Sequence, residues 1–505
     1  MGRLRPTLIL GGPGCGKTTA LLNIVEEAFS CGVEPDRIAF VAFTRKAAQE
    51  ARERMVKKFG IEPDAIPYFR TLHSFAFSQL DITRSQILDD VKLREYAKAE
   101  GLNLSEEFID EFGQIVAAPH TEDEKALSAI SLSRLTKRPL AEVVMEHDLD
   151  LEFVTRIRDD YEEFKADAHL VDFTDMIEKF EREGNVPVFD LLIVDEAQDL
   201  SRLQWRMVDR LMENAKDIYF AGDDDQAIYA WAGADLERFL NMDADREVLP
   251  VSYRLRSNVF DACQKVIRFC EDRYPKDWKP HAEGGSIDYT TTLDSLDLTQ
   301  GTWYMLARTN SLVRRLTQHL RSEGFAYWAP TKHGMQSSVG VDPVRAVLIY
   351  ENLRAGKKFR GDDMRLVWSF ILPRLRPDAA PVFDPVNEYD LDDLRSTGFD
   401  PSPSWLDALS VSGAMKDYIR AMRARGESLK NPPRITASTI HGVKGGEADF
   451  VVIDQKLTSR TYASWLDHDP QEVRALFTAI SRAKERVIFL DTTSQANYGV
   501  ENYLL

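Results

Sequence analysis

Residues 11–19 read GGPGCGKTT. The stretch fits G-x-x-x-x-G-K-[ST], with Gly11, Gly16, Lys17 and Thr18 at the fixed positions. The apolar run TLIL precedes it, and the helical pattern TALLNIVEEAF overlaps its end and continues it. Strand, glycine-rich turn and helix in that order make the phosphate cradle of a P-loop nucleotide hydrolase. Glycines let successive backbone N–H groups point at phosphate oxygens, and the helix N-terminus adds positive potential. The nucleotide loop is therefore read as Gly11, Gly12, Pro13, Gly14, Cys15, Gly16, Lys17, Thr18 and Thr19. Lys17 is suited to the β- and γ-phosphates and Thr18 to a Mg²⁺ ion. ATP and Mg²⁺ are the implied substrate and cofactor.

A P-loop needs an acidic partner on a neighbouring strand. LLIVDEAQD supplies one at Asp195, at the end of a strongly apolar run. Asp195 is expected to hold Mg²⁺ through water, and Glu196 to polarise the attacking water. Similar apolar runs end at Thr44, Asp223, Thr309, Asp454 and Thr492. Helical patterns such as RKAAQEARERMVKKF, from Arg45, lie between them. Apolar strands alternating with helices indicate parallel sheets covered on both faces. At 505 residues the chain exceeds one ordinary core, and two α/β cores are expected. Each is interrupted: the text turns helical and acidic from about His73 to Pro187, and proline-rich between about Gly340 and Pro433.

Bulk properties restrict the alternatives. Hydrophobic residues make up 44% and charged residues 29%, ordinary for a globular chain. No apolar run approaches the roughly 20 residues of a membrane helix, and MGRLRPTLIL has no signal-peptide core. A cytoplasmic protein without membrane partners is expected. None of the four cysteines forms a CxxC pair, which argues against a zinc site or a disulfide framework. The net charge of −18 excludes a uniformly basic nucleic-acid coat but leaves room for a narrow basic channel. MEHDLDLE (145–152) and DLDD (390–393) look like metal clusters but read better as solvated helical faces.

Beyond these two motifs, an ordered series of segments resembles the UvrD/Rep type of superfamily 1 DNA helicases. AFTRKAAQEARERM (42–55), TLHSFAF (71–77), DFTDMI (172–177), VDEAQD (194–199) and AGDDDQAIYAWAGAD (221–235) come first. VSYRLRS (251–257), TIHGVKGGEADFVVI (439–453) and ALFTAISRAKERV (475–487) follow in family order. The resemblance implies two RecA-like P-loop NTPase domains with parallel sheets, each interrupted by a mostly helical subdomain. The implied division is 1–72 plus 186–253 for the first core, with 73–185 inserted. The second core takes 254–340 plus 432–505, with 341–431 inserted. The chain ends soon after Arg482, so a fused C-terminal nuclease domain is not expected.

The same resemblance assigns roles. Gln226 would bind the γ-phosphate or the attacking water, and Arg254 and Arg482 would clamp the γ-phosphate. Lys17, Glu196, Gln226, Arg254 and Arg482 form the implied catalytic set. Tyr253 would stack on adenine and Glu447 would meet the ribose. Phe43, Thr44, His73, Tyr229, Trp231 and His441 would line the path of a DNA strand, where aromatic rings stack on any base. The family's arginine after the Trp231 position is Ala232 here. The expected activity is ATP-driven 3′→5′ translocation on single-stranded DNA with unwinding at single-strand/duplex junctions. A translocase that strips proteins with little unwinding, or an ATP-gated switch with negligible turnover, are the alternatives.

Overall fold

The computed structural model describes residues 5–105, 119, 121–331, 334–377 and 381–504. The first sheet comprises β1 (Thr7–Leu10), β2 (Ile38–Ala42), β3 (Phe69–Thr71), β4 (Phe189–Val194), β5 (Ala215–Gly222) and β6 (Asp245–Val248). Its order is β3-β2-β4-β5-β1-β6, and every pair is parallel. β2 is buried at every position and β4 at all but Asp190. Both faces of these strands are covered by helices, so their sequences show no alternation. Leu21, Val25 and Met55 from helices Lys17–Ser30 and Arg45–Phe59 meet Ile9, Phe40 and Ile193 on one face. On the other face Phe75, Phe180 and Trp205 meet Leu8, Leu192 and Phe220.

The helical stretch that opens near His73 starts and ends in this second layer, with helices Leu72–Gln79 and Phe173–Glu183. Between them, helices Asp90–Ala99, Glu122–Thr136, Leu140–Glu146 and Leu151–Asp167 close around Leu93, Ile130, Val144 and Ile157. Asp150 caps the last of these by accepting from Phe153 N at 2.7 Å.

β7 (Val251–Arg256) and β8 (Lys279–Ala282) pair in parallel on either side of helix Ser257–Ile267. The second sheet begins with β9 (Ser286–Thr290), β10 (Trp303–Ala307), β11 (Tyr327–Thr331) and β12 (Gly334–Ser337). After a small antiparallel pair, β13 (Phe359–Arg360) and β14 (Glu388–Tyr389), it resumes with β15 (Ile435–Thr439), β16 (Ala448–Asp454) and β17 (Ala483–Leu490). Its order is β12-β11-β15-β10-β16-β17-β9, and only the edge pair β11–β12 is antiparallel. Val344, Tyr350, Met364 and Trp405 share one apolar cluster with Met305, Ile435 and Ile488 of this sheet. The fold is the expected α/β class, with two predominantly parallel sheets. Among the described residues no helix is long and apolar enough to cross a membrane.

Parallel strands end on the same side, and this places the site. β4, β5 and β1 are neighbours, and their C-terminal ends lead into Asp195, Asp223 and Gly11. The ends of β2 and β3 lead into Phe43 and toward His73 on the same rim. The second sheet faces this rim with the residues just before β16 and β17, Glu447 and Arg482.

Candidate functional site

The P-loop is shaped by Gly14 and Gly16, both in left-handed backbone, with φ of 73° and 80°. β7 runs against it: the Ser252 hydroxyl donates to Pro13 O at 2.6 Å and Tyr253 N to Gly14 O at 2.9 Å. A Cβ on Gly12 would fall 2.5 Å from the Trp278 ring, and one on Gly14 would fall 2.4 Å from Arg254 Cβ. Glycine at both positions is therefore required by what leans on the loop as well as by the phosphates it would cradle. Tyr253 is 75% exposed, and its ring stands 3.8 Å from where a Gly16 Cβ would be. It offers a free aromatic face beside the loop, suited to stacking on a nucleobase.

Lys17 Nζ donates to Gly11 O at 2.8 Å, and the Thr18 hydroxyl donates to Asp195 Oδ2 at 2.9 Å. A hydroxyl and a carboxylate brought together beside a phosphate loop are the hard oxygen donors that suit Mg²⁺. Burial, reinforced by Glu196, pushes the Asp195 carboxyl up to about 6. Burial would also raise Glu196, but Lys444 and then Lys17 outweigh it and hold that carboxylate below its ordinary value. Glu196 is thus kept ionised, as a base must be. Its backbone is left-handed, with φ of 55°, a strain of about 1–2 kcal/mol for a residue with a side chain. Gln198 Nε2 donates to Glu196 Oε2 at 2.6 Å and fixes the carboxylate.

Gln226 lies at the end of the short turn after β5. Its Nε2 donates to Asp223 Oδ2 at 2.6 Å, and its Oε1 accepts from Arg482 Nη2. The Arg482 side chain is fully buried, and it also donates to Gly446 O at 3.1 Å and Thr478 O at 3.0 Å. Burial, then the charge of Arg254, lowers its pKa to about 9. Arg254 donates to Glu447 Oε2 at 2.8 Å and to Ser481 O at 3.3 Å. Glu447 also pairs with Lys484 at 2.7 Å. Arg254 stands close enough to disfavour the charge of Arg482, and together the two guanidiniums form a site that favours an anion.

Several residues of this site escape a reading by sequence. The aspartates 223–225 are all buried, and they enclose Lys276, whose side chain has no solvent exposure. Its Nζ lies 2.9 Å from Asp223 and from Asp225 and also contacts Asp224. Arg273 binds Asp225 through two nitrogens at 2.8 and 2.6 Å, and buried Arg474 donates to Asp224 O at 2.9 Å. Lys276 and Arg273 lie about 50 residues away in the chain and Arg474 about 250, with no local signal. Lys444 donates to Asp199 and, at 2.7 Å, to Gln226 O, and stands 4.9 Å over the Tyr229 ring. It sits inside the HGVKGG stretch, where its basic character was the available signal.

Four of the six expected DNA residues come together. Ring centroids lie 5.4 Å apart for Phe43–Tyr229, 6.2 Å for Tyr229–Trp231, 6.0 Å for Tyr229–His441 and 6.3 Å for Trp231–His441. Trp231 is 44% exposed at the rim of this group. His441 follows β15 of the second sheet, and the Tyr229 hydroxyl donates to its carbonyl at 3.4 Å. The other two have different partners. Thr44 caps helix Arg45–Phe59, accepting from Ala47 N at 3.2 Å, and His73 packs edge-on against Phe173.

Comparison with known proteins agrees with this geometry. Residues 3–247 match the model of the UvrD/REP helicase N-terminal domain, and residues 434–490 that of the UvrD-like helicase C-terminal domain. The chain is similar to the ATP-dependent DNA helicase PcrA of Leuconostoc citreum, 25% identical over 464 residues, covering 85% of this chain and 58% of that protein. It is 28% identical over 317 residues to the ATP-dependent DNA helicase PcrA of Staphylococcus aureus (strain Mu50), covering 58% of this chain and 42% of that protein. The matched region thus spans about half the length of these relatives. With both family models falling on the two sheets in order, the chain belongs to the UvrD/REP helicase family.

Proposed function

We propose that this chain hydrolyses ATP to move along single-stranded DNA in the 3′→5′ direction, unwinding duplex at single-strand/duplex junctions in the cytoplasm. We divide it as 1–72 plus 186–253 and 254–340 plus 432–505 for the two motor cores, with 73–185 and 341–431 inserted. The observation that carries this reading is the Arg482–Gln226 hydrogen bond. It joins the second core to the turn of the first that supplies Tyr229 and Trp231 a few residues later.

In this reading Lys17, Arg254 and Arg482 bind the γ-phosphate, Tyr253 stacks on adenine and Glu447 meets the ribose. Gln226 orients the attacking water and Glu196 accepts its proton as the bond to the bridging oxygen breaks. Mg²⁺, held by Thr18 and Asp195, supplies charge neutralisation on the phosphate oxygens when bound. Phe43, Tyr229, Trp231 and His441 offer ring faces to bases, with Thr44 and His73 at the neighbouring strand ends.

The test is ATP turnover with and without oligo-dT, beside strand displacement from duplexes carrying 3′ or 5′ tails. Stimulation by oligo-dT, loss of turnover in Lys17→Ala and a 3′-tail requirement are expected. Unstimulated turnover, or full activity in Lys17→Ala, would refute the proposal. Ala232, half-buried in the turn beside Trp231 where the family carries a charge, favours a second reading: a translocase that displaces proteins better than it unwinds. Fast displacement of streptavidin from biotinylated DNA with poor strand separation would select it.

A further inference from the structure

The buried charges behind Gln226 have no part in the reaction as described so far. Three consecutive carboxylates at zero exposure are costly unless cations meet them. Lys276 meets all three, and its three ammonium hydrogens match three carboxylates. Asp225 has a second cation in Arg273, and Asp224 accepts from Tyr274 N at 2.7 Å. Asp223 is placed differently. It presents Oδ1 to Lys276 at 2.9 Å and Oδ2 to Gln226 Nε2 at 2.6 Å. A carboxylate held this way is an acceptor at both oxygens. It can only take the NH₂ side of the Gln226 amide, so the carbonyl side must face Arg482.

We propose that Lys276 is a positioning residue for ATP turnover, acting through Asp223 to fix which way the Gln226 amide faces. The proposal rests on the reading of Gln226 as the group that orients the attacking water. Burial by itself would raise the Asp223 carboxyl, but Lys276 and then Lys17 hold it below its ordinary value, which keeps the acceptor charged. Without the ammonium, Asp223 loses the larger of the two charges that keep it ionised. Protonated, it can donate to Gln226 and let the amide turn over, which sets two donors, the amide NH₂ and Arg482, against each other.

Chemistry at position 223 separates this from a purely structural role. An Asn there has one acceptor and one NH₂. With Lys276 present its oxygen is drawn to the ammonium and its NH₂ faces Gln226, so the amide is turned the wrong way. With Lys276 replaced by Met, the Asn oxygen is free to accept from Gln226 again. The experiment measures oligo-dT-stimulated kcat and KM for ATP in Asp223→Asn, Lys276→Met, the double variant and Gln226→Ala, with melting curves for each. Both single variants should lose about tenfold or more in kcat with little change in KM. The double variant should recover several-fold over Asp223→Asn. A double variant no better than Asp223→Asn overturns the proposal. Should Lys276→Met fail to fold, Asp223→Asn is compared with Asp225→Asn. Both remove one carboxylate contact from Lys276, but the first is expected to lower kcat several-fold more than the second; equal losses overturn the proposal. Gln226→Ala tells the two failures apart. Unchanged kcat there refutes the role of Gln226 and the proposal with it, whereas a loss there with no recovery in the double variant refutes Lys276 alone.

Discussion

Arg482 spends every donor nitrogen inside the protein, on Thr478 O, Gly446 O, the Ser481 hydroxyl and the Gln226 amide. A lysine gathers its donors on one nitrogen, and cannot reach acceptors spread around the Nε, Nη1 and Nη2 corners of a guanidinium. Arg482→Lys should therefore lower kcat by about a hundredfold with a small effect on KM, checked by steady-state ATPase. Two histidines give a pH signature. Burial and then Arg45 bring His73 down to about 4, and burial and then Arg308 bring His441 to about 3. Burial thus holds both neutral in the fold. The unfolded chain protonates them near 6.5, so their stability contribution is complete above that pH. It falls by about 1.4 kcal/mol per unit for each histidine as pH drops toward the folded values. The urea midpoint should decline between about pH 7 and 5, and less steeply in His441→Gln.

Elements explain why some glycines matter and others do not. At Gly14 a side chain would meet both a left-handed backbone and β7 at 2.4 Å, whereas Gly32 has a φ of 84° with nothing within 4 Å of its Cβ position. Gly32→Ala should cost about 1 kcal/mol of stability and leave turnover intact. Gly14→Ala should displace β7, Arg254 and Tyr253 from the loop and abolish ATP turnover, read by melting and ATPase side by side. The same scale shows what could be read in advance. All seven strands expected from apolar runs form, because β1, β2, β4, β5, β10, β16 and β17 lie inside sheets. β3, β6, β9 and β12 lie at or beside edges, carry polar residues such as those of DREV and SIDYT, and look like loops. β15, ITAST, is central, but its small residues hide it; Ser438 is buried there without a hydrogen-bond partner for its hydroxyl. The P-loop, the acid pair and the aromatics sit in contiguous motifs and were legible. Lys276, Arg273 and Arg474 act by pairing across long stretches of chain, which no local pattern encodes.

The whole molecule is held at the junction of its halves by apolar as well as polar contacts. Cys15 and Ile228 of the first half share a cluster with Leu255, Ile440 and Phe477 of the second. Lys444–Asp199 and Arg474–Asp224 O cross the same boundary. A nucleotide reaching both Lys17 and Arg482 would add to this set. A non-hydrolysable ATP analogue with Mg²⁺, at about a hundred times its Kd, should stabilise the wild type by about 2.7 kcal/mol. The gain should shrink in Arg482→Ala and persist in Trp231→Ala, as measured by thermal melting.

The cage around Lys276 also bears on how the chain is made. Asp223, Asp224 and Asp225 leave the ribosome some fifty residues ahead of their cation. Until residues 273–276 emerge, the end of β5 must keep those carboxylates hydrated, and the turn bearing Gln226 cannot settle. This rim of the first sheet is thus completed by a segment synthesised after the sheet itself, and a chain ending at Val248 would contain all six strands but lack Arg273 and Lys276.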